Sequence, residues 1–187
     1  MADDLYYGDA GEGQRIYCAT AIVSGMVAFG TAAGTGGPLL WNGTTDTEGR
    51  IIAVSWAVTT ASAAAGAIGW TSNTTQITAP TSTTAIDSIQ NCYIGGPKPK
   101  ITAYRVGTVA NAGANFGVLG AVGTTAISSL PDTVNYVELK RSITLPPLTF
   151  TAAGALNTGQ WFSIAGSTAL TTSVIQVSVW WEEKVVR

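Results

Sequence analysis

Ser173 to Glu183 reads SVIQVSVWWEE. Taken with a period of two, Ile175, Val177, Val179 and Trp181 fall on one face, and Val174, Gln176, Ser178, Trp180 and Glu182 on the other. A β-strand that buries one face and wets the other produces this alternation. Its residues are mostly β-branched or aromatic, the types that suit a pleated, half-buried surface. Arg187 follows closely, so the stretch reads as the strand that closes the fold.

The same period recurs upstream. In Ile51 to Thr59, Ile52, Val54, Trp56 and Val58 alternate with Ile51, Ala53, Ser55 and Ala57. Large side chains on one face and small ones on the other suit a sheet that packs on its partner sheet and is approached by another surface from behind. Ile16 to Phe29, Ala67 to Thr71, Ile86 to Ile94, Lys100 to Val109, Thr133 to Leu145, Leu148 to Ala153 and Gln160 to Ala165 read as further strands. Between them lie breaks: Asn42-Gly43, a hairpin signal; Thr31 to Pro38; Ser72 to Thr84, a long loop; Gly95-Gly96-Pro97; and Pro146-Pro147. Asn111 to Gly123 reads as a loop holding one short strand around Phe116, Val118 and Leu119. About seven to nine strands without an amphipathic helix predict an all-β fold: a single antiparallel β-sandwich of jelly-roll type over residues 15–187. Residues 1–14, acidic and Gly-rich around Leu5, Tyr6 and Tyr7, predict an extended arm that either docks through those side chains or frays.

Charge is scarce. Only 11% of the 187 residues are charged, less than half the usual share of about 25%. Such an exterior implies either a membrane or other subunits. Ile16 to Thr35 carries no charge, but Thr20, Ser24, Gly25, Gly30, Thr31 and Gly34 interrupt it, and the buried-strand reading takes precedence over a membrane span. The net charge is −2 and there is no basic run, so nucleic acid is not an expected partner. The Met-Ala-Asp-Asp start lacks the basic region of a secretory signal. Cys18 and Cys92 have no metal-type spacing and predict buried thiols, with a single disulfide left open.

The chain contains no His, which removes triads that use imidazole as base. Glu182 and Glu183 are adjacent in a strand and point to opposite faces. Asp46 and Glu48 could share a face, but among Thr and Gly they read as a solvated loop. No catalytic residue, cofactor site or metal site is therefore expected. Asn42 and Asn73 match the glycosylation pattern, which carries little weight without a secretory signal. Lys98, Lys100, Arg105, Lys140 and Arg141 read as scattered solvated charge rather than a patch. Of the six tryptophans, those in alternating strands read as core rather than as a sugar platform. Trp180 stands apart. With Trp181 inward, Trp180 either meets a partner or belongs to a second apolar layer, and we take it as a subunit-contact residue with Leu5, Tyr6 and Tyr7.

With its acidic start, Thr/Ala/Gly-rich body, low charge, many short strands and final VSVWWEE, the chain resembles small jelly-roll virion proteins of tailed bacteriophages, those that decorate or cement capsids. The resemblance is one of style over the whole chain and rests on no strict motif. It implies a structural role between capsomers, often as a homotrimer, with the major capsid protein and copies of itself as partners. It also implies a place on the capsid surface after assembly in the host cytoplasm. A host-recognition or carbohydrate-binding module of a fibre or spike is the second reading, and a glycan-acting enzyme the third.

Overall fold

The fold grows from strands that pair with partners far away in sequence. The computed structural model describes residues 15–26, 28–29, 37–60, 64–73, 79–86, 89–93, 95–109, 113–122, 135–146, 149–150, 156–158, 160–167, 170 and 172–186. Among them are thirteen strands: β1 (Ile16–Ser24), β2 (Leu39–Asn42), β3 (Thr47–Thr60), β4 (Gly66–Asn73), β5 (Thr81–Ala85), β6 (Ile89–Asn91), β7 (Thr102–Thr108), β8 (Asn115–Val122), β9 (Asn135–Leu145), β10 (Thr149–Phe150), β11 (Leu156–Thr158), β12 (Gln160–Gly166) and β13 (Val174–Val185). One antiparallel sheet runs β6-β1-β13-β3-β9 and the other β5-β7-β2-β12-β4-β8, with β10 and β11 as a separate pair. Among the described residues no helix is long and apolar enough to cross a membrane.

The pairing is nested. β1 pairs β13, β2 pairs β12, β3 pairs β9 and β4 pairs β8, all antiparallel. The chain thus folds back on itself as one long ribbon whose successive pairs alternate between the two sheets. β5, β6 and β7 fall between β4 and β8 in sequence and extend the sheets at one side.

The alternation read in β13 decides where the core sits. Ile175, Val177, Val179 and Trp181 are buried, joined by Tyr17, Ala19, Ala21 and Val23 of β1 and by Val54, Trp56 and Val58 of β3. Leu40, Ile68, Phe162 and Ile164 of the other sheet close the layer. Trp56 reaches across far enough that a Cβ on Gly120 of β8 would meet its ring, which is the interdigitation that close packing of two sheets demands. β12 is buried along its whole length. Its second face carries Trp161, which packs with Leu39 and Val109 and against Trp41 and Tyr104 in a smaller cluster.

Two local expectations change. The face assignment of β3 fails at its start. Ile51, not Ile52, is inward, because the β3–β13 register shifts there, with Trp181 opposite Ile51 and Trp180 opposite Ala53. One extra residue in a bulge turns every later side chain to the other face. Asn42-Gly43 is not a hairpin either. β2 and β3 lie in different sheets, and neither residue takes a positive φ. Gly43 is instead crowded by Trp41, whose ring a Cβ would meet.

Asn42 is buried and joins the sheets. Its Nδ2 donates to the carbonyls of Thr47 (2.8 Å), Leu145 (2.7 Å) and Pro146 (3.1 Å), and its Oδ1 accepts from Thr44 N and Oγ1. Buried acceptors stripped of a donor stay unsatisfied, so Asn42→Ala is expected to lower unfolding free energy by about 2 to 3 kcal/mol, read by chemical denaturation.

At the end of β13, Glu183 points inward as the alternation requires, while Glu182 points outward. Glu183 accepts from Lys100 N (3.0 and 2.9 Å), Ile101 N (2.8 Å) and Trp181 Nε1 (3.2 Å). Tyr17 donates to the Lys98 carbonyl at 3.3 Å. Burial, and then the Glu183 charge, push the Tyr17 hydroxyl from 10.0 up to about 12. The folded state thus holds this proton more tightly than the unfolded chain. The resulting stability is complete below pH 10 and is lost as pH rises toward 12. Tyr17→Phe is expected to flatten that alkaline loss, seen by comparing denaturation of the two proteins from pH 9 to 12.

Candidate interaction face

The outward face of the five-stranded sheet can be laid out row by row from its registers. Cys18 lies opposite Gln90 and Trp180, Trp180 opposite Ala53, and Ala53 opposite Glu138. Thr20, Ser178, Ser55 and Tyr136 form the next row, and Ile22, Gln176 and Ala57 the next. Beyond Trp180, the middle of the face therefore carries small or polar side chains. Thr20 Oγ1 and Ser178 Oγ share a 2.7 Å hydrogen bond, which satisfies both hydroxyls within the face. Ala53 and Ser55 are buried between taller neighbours.

Larger apolar groups stand among them, Ile22 on β1, Trp180 on β13 and Tyr136 on β9. Ile22 is 59% exposed and Tyr136 60% exposed. Trp180 is half-buried and meets the Tyr136 ring edge-on at a centroid distance of 6.1 Å. Trp180 thus sits between the two alternatives that its position on β13 left open: a neighbour covers part of it, and the rest faces solvent. Charge gathers at one end of the face, where Arg141 meets Glu182 at 2.8 Å and Arg50 meets Glu48 at 2.6 Å. The rows of Thr20 and Ile22 contain none.

Leu5, Tyr6 and Tyr7 lie outside the described residues. Ile22 and Tyr136 were not singled out from sequence, though Ile22 was legible: it alternates with Ala21 and Val23 on a strand whose inward face starts at Tyr17. Tyr136 needed the β3–β9 register.

Elsewhere the chemistry is muted. Cys18 is half-buried and Cys92 exposed, against the expectation of two buried thiols, because Cys92 lies just past the three-residue β6. Both are free. Burial raises both thiols above their usual value, assisted at Cys18 by Cys92 and opposed there by the Thr20 hydrogen bond, so both stay protonated at neutral pH. Asp46 is held below the ordinary carboxylate range by hydrogen bonds from Lys100 Nζ and Thr47 Oγ1. Asp46 and Glu48 are thus committed to different cations, Lys100 and Arg50. Lys98 and Lys100 precede β7, whereas Lys140 and Arg141 lie on β9 of the other sheet, so the five cations weighed from sequence are divided between the sheets. Among the described residues, no three His, Cys, Asp or Glu side chains gather as metal ligands would. The sequence matches no protein-family model and no curated protein.

Proposed function

We propose that this chain is a structural virion protein, a capsid decoration or cement subunit that lies between capsomers and stabilises the shell. The observation that carries the reading is the outward face of β1, β13 and β3. Its Thr20 and Ile22 rows carry small or uncharged side chains, Thr20 and Ser178 satisfy each other's hydroxyls, and Ile22, Trp180 and Tyr136 stand out among them. Small side chains that are already ordered lose little entropy when covered, so such a face favours close contact with another protein surface. Trp180 on its middle strand and Tyr136 on β9 supply the aromatic anchors that interfaces concentrate.

The nested pairs 1·13, 2·12, 3·9 and 4·8 support the jelly-roll reading. That topology hosts capsid proteins and lectins alike, so fold by itself does not choose between them. The distribution of aromatics favours the shell. The aromatic side chains most exposed among the described residues, Phe116 and Tyr136, lie on strands, not on the loop clusters a sugar-binding module uses. In this reading the partners are the major capsid protein and further copies of the chain, gathered as a homotrimer. No cofactor, membrane or nucleic acid takes part, no catalysis is involved, and the protein resides on the virion after assembly in the host cytoplasm.

Co-sedimentation of the purified chain with empty capsids lacking it is the test. Saturable binding that raises the shell's melting temperature is expected. A glycan-specific monomer that ignores capsids would overturn the proposal. Deleting residues 1–14 should leave the melting temperature of the free protein within about 2 °C, because the body carries its own core, while weakening capture by removing a second point of attachment on a repeated lattice. Undiminished capture would remove the arm from the contact.

A further inference from the structure

Four strands border the two sheets: β6 and β9 in one, β5 and β8 in the other. An unpaired strand edge is a template for another chain, and proteins blunt such edges by shortness, irregularity or charge. Three of these edges are blunted. β6 has three residues. β5 loses register twice against β7 and holds Ser82 at φ 49°. β9 carries Glu138, Lys140 and Arg141, with Lys140 at φ 48° and Arg141 at φ 59°, conformations that break a regular edge.

β8 has none of these devices where it matters. Its sequence NFGVLGAV is uncharged, and it pairs regularly with β4 from Asn115 to Val118, the register shifting only at Leu119. Phe116 and Val118 are 62% and 66% exposed, more than any other large apolar side chain among the described residues. They lie two apart and so share a face. The Phe29 ring, 5.9 Å from that of Phe116 and over Gly69 of β4, extends the apolar strip across the sheet. Between them Gly117 is required by packing from within, since a Cβ there would meet the Trp70 indole.

The charge pattern selects the occupant. The arm of a neighbouring copy would bring Asp3, Asp4, Asp9 and Glu12 to a strand with no cation. A second β8 brings no charge, so no unmatched ion is buried. Its sequence is also self-complementary: an antiparallel pair centred on Gly117 sets Phe116 of each copy opposite Val118 of the other, an aromatic against a β-branched side chain, twice. We propose that two copies of this chain pair edge to edge along β8, antiparallel about a two-fold axis through Gly117, so that their six-stranded sheets become continuous. The pairing stands independently of the shell reading, because it uses the edge of one sheet and not the face of the other.

The contact is short beside the roughly 20 to 30 residues a side of a standard interface, so a weak association of about 10 to 100 µM is expected. Cysteine pairs read the register directly. With Cys18→Ser and Cys92→Ser as background, F116C mixed with V118C and exposed to oxidised glutathione should give disulfide-linked dimers in about tenfold greater yield than either variant alone. Directly opposed Cα atoms fall within disulfide range, whereas the diagonal 116–116 and 118–118 pairs exceed it. In sedimentation at about 200 µM, where a Kd of about 10 to 100 µM leaves about 60 to 85% of the chains paired, V118K should lower the weight-average mass by about 40% without changing the melting temperature of the dilute protein. Equal cross-linking in all three samples, a mass unaffected by V118K, or pairing lost on deletion of residues 1–14 would each overturn the proposal.

Discussion

Glu183→Ala is expected to lower the unfolding free energy by about 3 to 5 kcal/mol, or roughly 10 °C in melting temperature for a domain of this size. The carboxylate is 4% exposed and receives the Lys100 and Ile101 amides and the Trp181 indole. Removing it strands those donors in a space water does not readily reach, and each unsatisfied donor costs about 1 to 3 kcal/mol. The amides belong to the segment that leads into β7, so the loss also unpins the start of a strand in the other sheet. Two controls isolate the cause. Glu183→Gln keeps an acceptor for Ile101 and Trp181 and should cost about 1 to 2 kcal/mol. Glu182→Ala removes only the partly exposed contact with Arg141 and should cost under about 1 kcal/mol. Thermal and denaturant unfolding of the three variants measure the series. Similar losses for Glu182→Ala and Glu183→Ala would mean that charge at the strand end matters and the inward clamp does not.

The adjacent glutamates also mark what one chain of letters can and cannot convey. That they point to opposite faces follows from the period of a strand. That the inward one is buried depends on the segment before Ile101 crossing over the end of β13, a contact between residues more than eighty positions apart. The same division holds elsewhere. The inward row of β13 was legible because local alternation and burial agree, and the all-β character was legible because every long apolar segment shares that period or is too short for a helix. The inward turn of Ile51 was not, since a bulge exists only relative to a partner strand. Asn42-Gly43 misled because its two residues are selected for tertiary reasons, one to bridge the sheets and the other to make room for Trp41. The strand expected around Phe116, Val118 and Leu119 proves longer than a short insert in a loop, spanning Asn115–Val122, for a similar cause: Gly117 and Gly120 look like turn residues, but they yield space to Trp70 and Trp56.

Two neighbouring tryptophans let the fold be tested apart from the proposed assembly. Trp181 is fully buried, packs on Tyr17 at a centroid distance of 5.5 Å and donates to Glu183. Trp181→Ala is expected to cost about 3 to 5 kcal/mol of stability, through lost burial and the cavity left behind. Trp180 faces outward, half-buried, with Tyr136 as its aromatic neighbour. Trp180→Ala should cost the free protein only about 1 kcal/mol, the order of an aromatic pair plus partial burial. In the proposed shell role its effect on capture should be larger, about 2 kcal/mol or roughly thirtyfold in affinity, because a partner that covers the face would bury the rest of the indole. The comparison is within one variant: unfolding of the free protein against capture on the capsid. A loss of stability matching the loss of capture would make Trp180 part of a second apolar layer. Capture unchanged beside intact stability would remove this face from the contact, whatever the oligomeric state. A large loss of capture at nearly native stability is what a subunit-contact residue requires, since its unburied area has value only once a second surface arrives.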